Sequence, residues 1–118
     1  MYTLNDAKFD CLKEFQYLGL GTPSPLWLDF IIKLIVEDFF KQKFILDGRL
    51  KDVGLKIKDD GEIPINDKFA KDLIIDAVLG VYYADIDEIQ TNRYAYKMME
   101  TAEKYNKYLL NEGDNIDE

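Results

Sequence analysis

The sequence predicts a mainly all-α domain: a four-helix, bundle-like body with a long loop or small β-hairpin between helices 2 and 3. Three observations predict it. Apolar residues recur at helical spacing in four stretches bounded by capping or helix-stopping residues. The period is lost only between Asp47 and Ile65, where Gly48, Gly54, Gly61 and Pro64 fall together. And 118 residues, 47% hydrophobic and 14% aromatic, match one domain with ample material for a core.

The first helix follows Thr3, whose hydroxyl caps the first turn while Asp6 sits at the reciprocal position. Leu4, Ala7, Cys11, Phe15 and Leu18 then form its apolar face, and Gly19-Leu-Gly21-Thr-Pro23 stops it. The second opens with Ser24 as cap and Pro25 at the first helical position. Trp27, Phe30, Ile31, Leu34, Ile35, Phe39 and Phe40 cover most of its circumference, as in a helix packed on several sides. Asp29, Lys33, Glu37 and Lys41 alternate in sign four residues apart, a single ladder of ion pairs. Those charges interrupt the run too often for a membrane span, which needs about 20 residues with few or none. The segment reads instead as a central bundle helix, or one shared between the core and a subunit contact.

From Asp47 to Ile65 a local alternation in Leu55-Lys-Ile57 and Ile63-Pro-Ile65, around Asp59-Asp-Gly61, suggests a hairpin with Pro64 on an edge. Asn66 caps a third helix reaching about Tyr83, with Phe69, Ala70, Leu73, Ile74, Ala77, Val78 and Val81 as its stripe. A fourth helix carries Ala95, Met98, Met99, Ala102, Tyr105 and Leu109 on one face and is expected to end at Gly113. The expected organisation is one helical domain over residues 1–112 and a short acidic tail over 113–118.

A formal charge of -8 argues against nucleic acid as a sequence-specific partner, since phosphate binding needs a surplus of Lys and Arg on some face. With one cysteine and no histidine, neither an internal disulfide nor the common zinc ligand sets are expected, and no other cofactor signature is present. The N-terminus lacks a basic region followed by an apolar one, so no secretory signal is read and a cytoplasmic location is expected. The usual acid-base and nucleophilic groups are missing, so no enzyme is expected and no catalytic or metal residues are assigned. Cys11 lies on the apolar face of helix 1 and reads as a small core residue. Asp85, Asp87 and Glu88 lack the glycine and distal glutamate of a calcium loop and read as a solvated helix start.

Two features point outward. Arg49, Lys51, Lys56 and Lys58 make the 47–65 excursion the one locally positive segment of an acidic chain, suited to an acidic surface on a neighbour. Tyrosines crowd the C-terminal half, and Tyr82, Tyr83, Tyr94 and Tyr96 are the candidate partner contacts among them, because a tyrosine ring is apolar while its hydroxyl tolerates water.

The order of elements, with Leu4-Asn-Asp-Ala7-Lys8 opening helix 1, a long apolar helix from Leu26 to Lys43, and Ile63-Pro64 leading into an aromatic-ended helix at Tyr82-Tyr83, resembles the head-to-tail connector (adaptor) proteins of tailed bacteriophages. Ala84-Asp-Ile-Asp-Glu88 stands where that family usually carries an Arg or Glu cluster. The resemblance spans roughly Leu4 to Leu110 and implies a structural subunit: a ring of identical copies, commonly a dodecamer, bound to a portal-like or tail protein. It also implies assembly in the host cytoplasm and residence in the virion. Two other classes stay open: a small acidic inhibitor of a nucleic-acid-binding partner, and a minor metabolic or regulatory enzyme.

Overall fold

The computed structural model describes residues 2–40 and 61–116. They form α1 (Leu4–Tyr17), α2 (Pro25–Leu34) running on into a π-helical segment (Ile35–Phe40), α3 (Asp67–Tyr83) and α4 (Glu88–Ile116). The all-α expectation holds: among the described residues the only β pairing is an isolated antiparallel bridge between Thr3 and Glu62. The expected hairpin or loop lies, apart from Gly61–Ile65, outside the described residues.

The capping box at Thr3 forms as expected. Thr3 Oγ1 accepts from the Asp6 amide at 3.1 Å, and Asp6 Oδ2 accepts from the Thr3 amide at 3.0 Å. Leu4, Ala7, Cys11 and Phe15 are buried on the inner face. Gly19 and Gly21 then turn the chain with φ of 71° and 81°, backbone that a side chain would strain. Ser24 Oγ accepts from the Trp27 amide at 3.4 Å and starts α2, with Pro25 in its first turn.

Packing of α2 on several sides is not what the structure shows. Leu28, Ile31 and Ile32 are buried, but Leu26 is 84%, Phe30 63% and Leu34 44% exposed. The body measures 49 × 30 × 21 Å, so its thin direction is only about two helix diameters. In a layer that thin every helix keeps a solvent side. The π turn keeps the end of α2 in the core: its i→i+5 period aligns Ile35 with Phe40, and both are buried with Val36. The expected ladder begins with Asp29 and Lys33 at 3.0 Å, but Lys8 of α1 joins them at 3.2 Å, so the pair clamps two helices. Burial opposes the charge on Asp29; the hydrogen bonds from Lys33 and Lys8 outweigh it and hold the carboxyl below the usual range. Lys41 and the side chain of Phe39 lie outside the described residues.

Gly61–Asn66 is part of the core rather than an appendage. The Leu4 amide donates to Gly61 O at 3.0 Å and the Ile63 amide to Tyr2 O at 2.8 Å. Ile63, Pro64 and Ile65 are buried, so the end of the 47–65 excursion belongs to the helical body. Asn66 caps α3 by accepting from the Lys68 amide at 2.9 Å. It also donates from its own amide to Tyr105 Oη and from Nδ2 to Tyr108 Oη, both at 3.2 Å.

The most extensive packing is between α3 and α4: a short turn joins them, and Asp87 Oδ1 accepts from the Ile89 and Gln90 amides at 3.0 and 3.2 Å. The α4 stripe is Tyr94, Met98, Ala102 and Tyr105, while Ala95 and Met99, expected on it, are exposed. Tyr94 and Tyr105 carry far more apolar area than Ala95, and their burial sets the rotation of the helix. The helix also runs through Gly113 to Ile116 instead of ending there; a glycine weakens a helix by about 1 kcal/mol relative to alanine without forbidding it.

These burials separate two substitutions at apolar helix positions. Ile74 is fully buried, so Ile74→Asp places an unpaired charge in the core and is expected to cost several kcal/mol, enough to unfold a domain of about 5–15 kcal/mol. Leu34→Asp, on the outer face, should change stability by no more than about 1 kcal/mol. Thermal melts followed by circular dichroism check both, and equal losses would contradict the burial pattern.

Candidate functional site

Helix α3 has two unlike sides. Phe69, Leu73, Ile74 and Val78 are buried in the core, whereas Ala77, Gly80, Val81 and Ala84 floor an open groove of about 480 Å³. Leu34 and Ile35 form one wall, and Thr91, Ala95 and Met98 of α4 form the other. The small residues keep the floor low. A Cβ added at Gly80 would meet Tyr94 Cβ at 4.0 Å, ordinary contact distance, so the fold itself does not demand glycine there.

Only carboxylates and one hydroxyl interrupt the apolar lining: Asp38, Asp76 and Thr91. Burial pushes the Asp76 carboxyl up to about 6; Lys97 opposes the shift, and Asp72 and Glu14 add to it. Neither Asp38 nor Asp76 has a cation within ion-pair distance among the described residues. Val81 also lines a second depression of about 600 Å³ with Trp27, Tyr82 and Ile86. The groove therefore continues over Val81 toward Ile86, and Leu34 joins it to the outer face of α2.

The expected contact residues divide between interior, surface and the undescribed segment. Tyr82 packs edge-on against Phe15 at 5.0 Å, and Tyr83 stacks on Tyr94 at 5.9 Å with 4° between the rings. With the Tyr82–Tyr83 contact at 5.1 Å, these rings tie α1, α3 and α4 together. Tyr94 is buried and presents no contact surface, and Tyr82 and Tyr83 are half-buried. Tyr96 is exposed on the outer side of α4, beside a shallow depression shared with Met99 and Leu110. Arg49, Lys51, Lys56 and Lys58 lie outside the described residues. The sequence places Phe30 and Leu34 among the packed residues of the second helix and does not single out Leu26, and all three are exposed. Their signal was present: four residues apart, they run alongside the charged Asp29–Lys33–Glu37 row, one position away.

Cys11 is a core residue, as read from its position. Burial, with Asp10 and Glu14 nearby, pushes its thiol up to about 12, far from the thiolate a nucleophile requires. The Tyr2 hydroxyl is held by donation to Asp10 Oδ2 at 2.7 Å. Among the described residues no cluster of His, Cys, Asp or Glu is arranged to hold a metal ion, and no helix is long and apolar enough to cross a membrane.

The groove carboxylate gives a pH-dependent expectation. Because the folded state holds the Asp76 proton more tightly than the unfolded chain, ionisation costs stability. The cost is absent below about pH 4, grows as pH rises toward 6, and is complete above it. Two pK units would be roughly 3 kcal/mol in a dry site; solvent reaches this one, so about 1 kcal/mol is expected. Asp76→Asn should therefore raise the melting temperature at pH 7.5 and leave it unchanged at pH 4; an equal shift at both would remove the burial cost. Comparison with known protein families, with curated proteins and with solved structures finds no match to this chain.

Proposed function

We propose that this chain is a non-catalytic assembly subunit that works by binding copies of itself and a larger partner. One observation carries the reading: the outer face of α2, Leu26, Phe30 and Leu34, runs into the apolar groove and past Val81 to the exposed Ile86. Contiguous apolar surface of this kind marks interaction sites on small proteins. It sits on a chain of net charge -8, whose copies repel one another at long range. Apolar contact is the term that overcomes that repulsion, and it does so only where the surfaces fit.

Within that class, the order of elements and the matches at Leu4–Lys8 and Ile63–Tyr83 favour a head-to-tail connector of a phage-like virion: a closed ring, such as a dodecamer, beneath a portal-like or tail protein. Net negative charge suits the wall of a channel through which DNA slides without sticking. The Arg49–Lys58 segment supplies the opposite charge for a contact between neighbours.

Native mass measurement tests the reading. The purified chain should form multimers, alone or on its source particle, and Phe30→Ser with Leu34→Ser should return it to a monomer while its melting temperature stays within a few degrees, since neither side chain is buried in the core. A chain that remains monomeric in every condition, with no binding to its particle, overturns the proposal.

A further inference from the structure

The outer face of α1 is as unusual as the groove. Phe9 is 60% and Tyr17 84% exposed, and Lys13 between them lies 5.1 Å above the Phe9 ring centroid. The three are four residues apart, so they form one row about 12 Å long on the side of α1 turned from the core. Lys13 makes no ion pair among the described residues. The chain thus carries an apolar groove with unpaired carboxylates on one set of elements, and an aromatic row with an unpaired cation on another.

We infer that the groove between α3, α4 and the end of α2 receives the Phe9–Lys13–Tyr17 face of α1 from a second copy, with Lys13 of that copy set against Asp76 and Asp38. This deepens the assembly reading above and rests on it. Three features favour a second copy over an unrelated helix. The charges are complementary: among the described residues two carboxylates and no cation line the groove, Lys97 lies beyond ion-pair distance of Asp76, and the row brings an ammonium. The small residues Ala77, Gly80 and Ala84 give a helix bearing two rings room to approach. And the two surfaces belong to different elements, so docking one leaves the other free on each copy. Such a contact is heterologous: it repeats head to tail and closes into a ring when the rotation allows, which is the geometry a ring-forming subunit requires. Burial already disfavours the charge on Asp76, so an arriving ammonium relieves a cost present in the isolated chain.

Charge reversal tests the contact on the full chain. Lys13→Glu and Asp76→Lys should each weaken self-association about tenfold or more by sedimentation, and mixing the two variants, or combining both changes in one chain, should restore it to near the starting value. Gly80→Leu fills the groove floor without changing charge and should block association as well. It also serves where Asp76→Lys fails to fold, as circular dichroism would reveal. An oligomer indifferent to Lys13→Glu and Gly80→Leu overturns this contact while leaving the assembly reading in place. So does loss in both folded single charge variants with no recovery on pairing them. A wild-type chain that never self-associates overturns the contact and the ring together.

Discussion

The fold depends on the six residues from Gly61 to Asn66, which tie together the starts of α1 and α3 and the middle of α4. Their backbone pairs with Tyr2–Leu4, their side chains Ile63, Pro64 and Ile65 fill the core, and Asn66 both caps α3 and donates to the hydroxyls of Tyr105 and Tyr108 on α4. The start of α1, the start of α3 and the middle of α4 are thereby fixed at one end of the body. Phe69 packs between them, with ring centroids 4.9 Å from Tyr105 and 5.4 Å from Tyr108. Buried tyrosines are tolerable only with partnered hydroxyls, and Asn66 supplies that partner while its own backbone donor is satisfied in the same contact.

From that anchored end, α3 and α4 run together and α1 and α2 cover them. The Lys8–Asp29–Lys33 cluster joins α1 to α2 across the seam, and Phe15 reaches Tyr82 of α3 on the inner side. The cluster is partly wetted, so its worth is modest; its geometry fixes how the two helices lie more than how stable they are. Packing two helices deep leaves each of the four an outer face. On α4 that face mixes exposed Glu100, Glu103 and Lys107 with exposed Tyr96, Met99 and Leu110. On α1 and α2 it carries Phe9, Tyr17, Leu26 and Phe30.

The helices themselves were legible because their signals are local. Thr3 and Asp6, Ser24 and Pro25, and Asn66 act within one turn of where they stand, and the glycines at 19 and 21 act on their own backbone. What was not legible is which side of an apolar helix the rest of the chain covers. α2 has apolar groups almost all round, so apolar periodicity alone does not select a face and only the charged Asp29–Lys33–Glu37 row marks one, while the π turn after Leu34 changes the period midway. On α4 the sequence places Ala95 and Met99 on the stripe beside Met98, Ala102 and Tyr105 and offers Tyr94 as a partner contact; the burial of Tyr94 depends on its stacking against Tyr83 of α3, to which no pattern within α4 can point. The groove was hidden for the same reason: it needs Asp38, Asp76 and Thr91 on three different elements, and only the fold brings them to one rim.

The groove is also where local stability and overall form diverge. A larger side chain at Gly80 or Ala84 would extend the α3–α4 core, and alanine in place of Gly80 would favour the helix with no close contact to prevent it. A neutral residue at position 76 would avoid burying a carboxylate that has no cation within ion-pair distance among the described residues. Each of these changes would make the isolated domain more stable and would fill or neutralise the same depression. Sequences that forgo such gains at one place, while Leu73, Ile74 and Val78 one turn away are fully packed, concentrate the loss where a surface has another use. On that argument the small residues and the carboxylates are one feature: a floor kept low and a charge kept waiting, on the face into which the apolar side of α2 leads.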